Sequence, residues 1–111
     1  MAILSTLLTN TPAAISPNLA GDTAVTVMLF CNLNLPNPSD SSMGRQYVDI
    51  HVVASGGSIT DTNKIVNQVP LDAGDTFVLS TERIVLGPGD RVYARTTDTG
   101  EVSVTITYVV I

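Results

Sequence analysis

Residues 69–80 have the sequence VPLDAGDTFVLS, and residues 84–95 have the sequence IVLGPGDRVYAR. Each stretch contains an apolar pair, a Leu, a short turn with glycine, an Asp and then an alternating run. The glycine before the Asp, Gly74 or Gly89, adopts a positive φ at little cost. The Asp carboxylate that follows accepts backbone N–H groups of a turn. Each stretch therefore predicts a strand, a tight corner and a second strand.

The same period of two residues extends over most of the chain. Residues 23–33, TAVTVMLFCNL, are apolar on both faces, which predicts a central strand covered on both sides. Residues 47–54, YVDIHVVA, and residues 101–111, EVSVTITYVVI, alternate and predict two further strands. Turn signals separate these segments, and no window has helical spacing. We therefore expect an all-β fold, a single antiparallel β-sandwich that is jelly-roll-like.

The first 19 residues, MAILSTLLTNTPAAISPNL, carry two prolines and no charged side chain. Disordered tails are usually charged and poor in aliphatic residues. We therefore expect residues 1–19 to form an extended N-terminal arm that packs on its own sandwich or on a neighbouring subunit. Residues 20–111 would form the β-sandwich domain, which should stay folded without residues 1–10. The aliphatic side chains of the arm are candidate interface residues: Ile3, Leu4, Leu7 and Leu8.

The composition limits the partners that the protein can have. Charged residues make up 14% of the chain, against about 25% in an ordinary soluble domain, so much of the surface must be neutral. The formal net charge is −5, and five Lys and Arg residues cannot form the basic patch that nucleic acid requires. No run approaches the roughly 18 apolar residues of a membrane span. We expect a partner protein, with neither nucleic acid nor membrane bound.

Candidate chemical sites are weakly supported. Asp49 and His51 share a strand face and could orient a base, but no nucleophile motif accompanies them. The single Cys31 fits a small buried hydrophobic residue. We therefore expect no enzyme, no cofactor and no bound metal. The acidic residues of the two corners also lack the spacing of a calcium loop: Asp72, Asp75 and Asp90.

A second candidate interface lies on one predicted strand. Arg91, Tyr93 and Arg95 share a face, and two guanidinium groups beside an aromatic ring suit recognition of carboxylates on a protein partner. A solvated strand face without a partner is the alternative interpretation of the same pattern.

The order of these features resembles that of small virion structural proteins of tailed bacteriophages. The resemblance covers residues 23–111, through TAVTVMLFCNLN, YVDIHVVA, the two corner stretches and the final VSVTITYVVI. It implies a non-enzymatic protein of the virion, made in the host cytoplasm. The size of the chain favours a capsid decoration (cement) protein that binds the major capsid protein lattice as a homo-oligomer, a dimer or a trimer.

The resemblance leaves other roles open. A tail, baseplate or fibre-associated structural protein has the same features. A receptor- or carbohydrate-binding module would normally expose aromatic rings, and this chain has 5% aromatic residues and no Trp. A small cupin-like enzyme would need clustered His ligands, whereas the chain has one His.

Overall fold

The computed structural model describes residues 2–16, 21–80 and 84–111. Over these residues the chain forms nine strands and one 3₁₀ turn, Asp61–Asn63, so no helix there is long and apolar enough to cross a membrane. The strands are β1 (Ala2–Leu7), β2 (Ala13–Ala14), β3 (Thr23–Asn32), β4 (Gln46–Val53), β5 (Lys64–Leu71), β6 (Thr76–Leu79), β7 (Ile84–Leu86), β8 (Arg91–Arg95) and β9 (Val102–Val110).

The strands form two sheets in which every pairing is antiparallel. Sheet A has the order β1-β9-β3-β6, and β7 pairs with β3 beside β6. Sheet B has the order β2-β8-β4-β5. The prediction of an all-β antiparallel sandwich is confirmed.

Some of the pairings are nested along the chain, and the pairings of β3 with β9 and of β4 with β8 join these nested pairs into the two sheets. The first strand pairs with the last, β2 pairs with β8, β3 pairs with β6 and β7, and β4 pairs with β5. Each pair therefore encloses the next one in sequence, with β4 and β5 innermost.

The core lies between the two sheets and is formed by the residues that point inward along each alternating strand. The aromatic ring of Phe30 is fully buried and stacks at a tilt against Phe77, with ring centroids 6.0 Å apart. Aliphatic side chains of the central strands complete the core: Val25, Met28, Val48, Ile50, Val92, Ala94, Val102, Val104 and Ile106.

The two repeated stretches carry the chain from one sheet to the other. Residues 69–80 leave sheet B on β5 and enter sheet A on β6, and residues 84–95 return from β7 to β8. Gly74 and Gly89 have φ of +79° and +83°, as predicted. The Asp90 carboxylate accepts bonds from the N–H of Gly87 (3.0 Å) and of Ser55 (2.8 Å). Both corners also contain a backbone bond, from the Asp90 N–H to the Gly87 carbonyl (3.1 Å) and from the Asp75 N–H to the Asp72 carbonyl (2.9 Å). Among the described residues the Asp75 carboxylate accepts no such bond, contrary to the prediction.

Residues 2–16 do not form an arm separate from the sandwich. Strand β1 pairs with β9 over its whole length, and β2 belongs to sheet B. Leu8 and Ile15 each expose 2% of their surface in the common core, so Leu8 is not an interface residue. Of the two predicted alternatives, residues 2–16 therefore pack on their own sandwich. The predicted boundary at residues 19 and 20 lies outside the described residues.

Candidate functional site

Charge is divided unequally between the two sheets. The strands of sheet A, as far as the structure describes them, contain no Asp, Glu, Lys or Arg. Strands of sheet B carry Asp49, Lys64, Arg91 and Arg95. The other charged side chains of the described residues lie in the loops or in the 3₁₀ turn. The sandwich therefore has one uncharged outer face and one charged outer face.

The outer face of sheet A, called here the neutral face, exposes aliphatic side chains of several strands. Leu29 of β3 is 37% exposed, Val78 of β6 is 50% exposed and Val85 of β7 is 60% exposed. Ile3 and Leu7 of β1 continue this surface to the edge of the sheet. Strand β3 is therefore covered on one side only, contrary to the prediction. Cys31 lies half-buried on the same face rather than in the core.

Hydroxyl groups fill the middle of the neutral face, and four of them form two pairs between neighbouring strands. Ser5 and Thr105 lie 3.2 Å apart between their hydroxyl oxygens, and Thr26 and Thr107 lie 2.6 Å apart. Thr26 also donates to the Thr107 carbonyl at 3.1 Å. Polar groups that already have hydrogen-bond partners cost little free energy when a second protein covers them. The neutral face can therefore be buried at low desolvation cost.

The outer face of sheet B contains a buried carboxylate. Asp49 has a side chain that is 4% exposed, and it accepts a bond from Arg95 Nη1 at 2.9 Å. Its other oxygen accepts the backbone N–H of Gln68 at 2.7 Å and lies 3.7 Å from Lys64 Nζ. Gln68 has a φ of +49°, in the left-handed region, and it lies in β5 where the register with β4 shifts. The irregular backbone thus directs an N–H group at Asp49.

Burial acts to raise the pKa of Asp49, but the Gln68 hydrogen bond and the two cations outweigh it. The pKa therefore lies below the usual value of an aspartate. A carboxyl whose pKa is lower in the folded state stabilises the fold at pH values above its unfolded pKa. That stabilisation is lost as the pH falls through the folded pKa.

We expect Asp49→Asn to lower the free energy of unfolding at pH 7 by about 1–3 kcal/mol, because charged hydrogen bonds are lost. Urea unfolding at several pH values measures this, and the difference from the parent should shrink below about pH 4. Asp72→Asn is the matched control, because its ion pair with Arg45 is more exposed and should contribute less. Equal stability of parent and Asp49→Asn at pH 7 would contradict the assignment.

His51 lies beside the same carboxylate but does not bind it. The histidine is 5% exposed, between Tyr93 of β8 and Lys64 of β5 in the register. Its Nδ1 has no hydrogen-bond partner among the described residues. The Asp49 oxygens are bound to Arg95 and Gln68 instead, so the arrangement lacks the Asp–His bond that orients a catalytic base.

The predicted interface residues fall on different surfaces. Arg91, Tyr93 and Arg95 do share the outer face of sheet B, each half-buried, but Arg95 is bound to Asp49 and to the Asn10 carbonyl at 3.1 Å. The predicted interface residues did not include Leu29, Val78 and Val85, although these residues alternate in sequence with core residues. Of the candidates from the predicted arm, Ile3 and Leu7 lie on the neutral face, and Leu4, 37% exposed, lies on the other side of β1 in register with the buried Ile106.

Within residues 2–16, 21–80 and 84–111, no three His, Cys, Asp or Glu side chains lie close enough to hold a metal ion. An open depression of about 440 Å³ lies at the start of β5, lined by Asp61, Lys64, Ile65 and Asn67. Its two charged groups have opposite signs and favour no single class of ligand.

The chain matches no protein-family model, no curated protein and no solved structure.

Proposed function

We propose that this protein is a non-enzymatic structural protein of a tailed-phage virion, a capsid decoration protein that binds the major capsid protein lattice through its neutral face. The observation that carries the proposal is the absence of charge from the described strands of sheet A, combined with the exposed Leu29, Val78 and Val85. An exposed apolar patch of this kind is typical of a protein–protein contact.

The composition of the neutral face supports attachment to a broad, flat partner. The aliphatic side chains provide apolar surface to bury, and the paired hydroxyls of β9 add little desolvation cost. The described strands that form the neutral face contribute nothing to the formal net charge of −5. Such a distribution leaves the rest of the molecule hydrated while one face is covered.

The architecture is compatible with this role. The nested strand pairing supports a jelly-roll winding, which is found in viral capsid proteins, lectins and cupins. Because one fold serves many functions, the neutral face, and not the winding, carries the proposal.

A matched pair of variants tests the proposal on particles prepared without this protein. Val78 on the neutral face is 50% exposed, and Ile65 on sheet B is 49% exposed. We expect Val78→Asp to weaken binding to the particles at least about tenfold, because a carboxylate would be buried in an apolar contact. Ile65→Asp should bind as the parent does. Cosedimentation of labelled protein with the particles measures both affinities.

Two results would contradict the proposal. If the parent protein binds no particle, the virion role fails. If Ile65→Asp weakens binding and Val78→Asp does not, the contact lies on sheet B. Binding to phage tails and not to heads would instead favour the tail or baseplate role.

A further inference from the structure

The free edges of the two sheets differ in how well they are protected. Exposed edge strands recruit other strands, and proteins usually block them with charge, proline, bulges or short length. Strand β5 carries Lys64 and Pro70 and has two register shifts against β4. Strands β2, β6 and β7 have two, four and three residues. Strand β1 has six residues and an unbroken register with β9, and it contains none of these features.

The outward backbone groups of β1 follow from one hydrogen bond. The Leu8 N–H donates to the Val102 carbonyl at 2.9 Å, and these two residues continue the register of β1 with β9. Inward and outward backbone groups alternate along an antiparallel strand. Residues 2, 4 and 6 therefore direct their N–H and carbonyl groups towards β9. Ile3, Ser5 and Leu7 direct theirs away from the sheet, where no described strand pairs with them.

We propose that β1 pairs antiparallel with β1 of a second copy of this chain, about a two-fold axis at Ser5. Ser5 then faces Ser5 of the partner subunit, and Ile3 faces Leu7 of the partner subunit. In this register each of the three outward residues pairs with an outward residue of the partner subunit, and each pair exchanges two hydrogen bonds. An axis at Leu4 would pair Ile3 with Ser5 and leave Leu7 without a described counterpart.

A second copy fits this edge better than an arbitrary strand because the edge is self-complementary. Leu7 is 55% exposed and Ile3 is 69% exposed, and the two-fold axis places one beside the other. Neither strand carries charge, so the pairing brings no like charges of the two β1 strands together. A two-fold contact of one surface with itself closes as a dimer.

The pairing joins two neutral faces into one continuous surface. Its purpose rests on the proposed function. A lattice contact through this surface would then engage two copies at once. The tests below use the protein alone, without particles, so the dimer and the virion role can fail separately.

Cysteine crosslinking tests the register in a Cys31→Ser background. In Ser5→Cys the two introduced residues would face each other with Cα atoms about 5.5 Å apart, within the range of a disulfide. In Leu7→Cys, the matched control, they would lie about 14 Å apart and could not join. We expect mild oxidation to convert Ser5→Cys to a species of twice the 11.7 kDa chain mass, and to leave Leu7→Cys monomeric.

Sedimentation equilibrium tests the pairing itself, on chains that keep Cys31 and carry no introduced cysteine. Ser5→Pro removes the outward N–H, which β9 does not use, and should raise the dimer dissociation constant at least about tenfold. Ser5→Ala keeps that N–H and should dimerise as the parent does. Circular dichroism checks that both variants remain folded.

The proposal is overturned if Ser5→Cys fails to crosslink, or if Leu7→Cys crosslinks equally well. It is also overturned if the parent sediments as a monomer at every accessible concentration, or if a folded Ser5→Pro variant dimerises like Ser5→Ala. Should Ser5→Pro unfold, the crosslinking pair alone decides.

Discussion

Deletion of residues 1–10 is expected to abolish cooperative folding. The deletion removes the whole of β1 and leaves β9 as an unprotected edge. It also removes Leu8, whose N–H and carbonyl bind Val102 and Gly100 at 2.9 Å each, and the Thr9 carbonyl that accepts the Thr96 N–H at 3.0 Å. The free energy of unfolding of a small domain is about 5–15 kcal/mol. The loss of a strand and of a core side chain can lower it by that whole amount. This outcome replaces the sequence-based expectation that the truncated domain stays folded.

Neighbouring leucines provide the matched control for that deletion. Leu8 is 2% exposed, and Leu7 is 55% exposed. We expect Leu8→Ala to lower the free energy of unfolding by about 2–5 kcal/mol through loss of buried surface and a residual cavity. Leu7→Ala should cost about 0.5 kcal/mol or less. Urea unfolding followed by circular dichroism measures both, and equal losses would show that residues 2–8 do not pack as described.

Gly89→Val is expected to lower the free energy of unfolding by about 2–4 kcal/mol. Gly89 has a φ of +83°, which a β-branched residue adopts only with strain. An added Cβ would also meet the Ser55 side chain, with Ser55 Cβ at 2.9 Å. Ser55 has little freedom to move, because its N–H is bound to the Asp90 carboxylate of the same corner.

Gly100→Val separates strain from crowding. Gly100 has the same φ of +83°, but an added Cβ would meet no atom within 4 Å. Its substitution should therefore cost about 1–3 kcal/mol from backbone strain alone. We expect the loss for Gly89→Val to be larger by about 1 kcal/mol or more in the same urea titrations. If Gly89→Val is as stable as the parent, the corner does not hold the left-handed conformation.

The corners and central strands could be predicted because their signals are local. A Gly-Asp step specifies a turn through the conformational freedom of Gly89 and the carboxylate of Asp90, whatever lies elsewhere in the chain. The alternation of residues 102–108 likewise identifies one buried face of β9. Such features depend on neighbours in sequence, so the structure reproduces them.

The contacts that define the two outer faces could not be predicted because they depend on long-range register. Asp49 and Arg95 are 46 residues apart, and only the pairing of β4 with β8 brings them together. The sequence leaves the packing of residues 2–16 open between two alternatives for a related reason. Their lack of charge fits packing on their own sandwich and packing on a neighbouring subunit equally well, and only the pairing with β9 distinguishes them. The concentration of charge in sheet B likewise emerges only when each strand is assigned to a sheet.

Cryo-electron microscopy of virions that carry this protein tests the central claim most directly. The map should place the neutral face against the capsid shell, with Leu29, Val78 and Val85 buried in the contact and the Asp49–Arg95 pair facing solvent. A map in which sheet B lies against the shell and the neutral face is exposed to solvent would contradict the account.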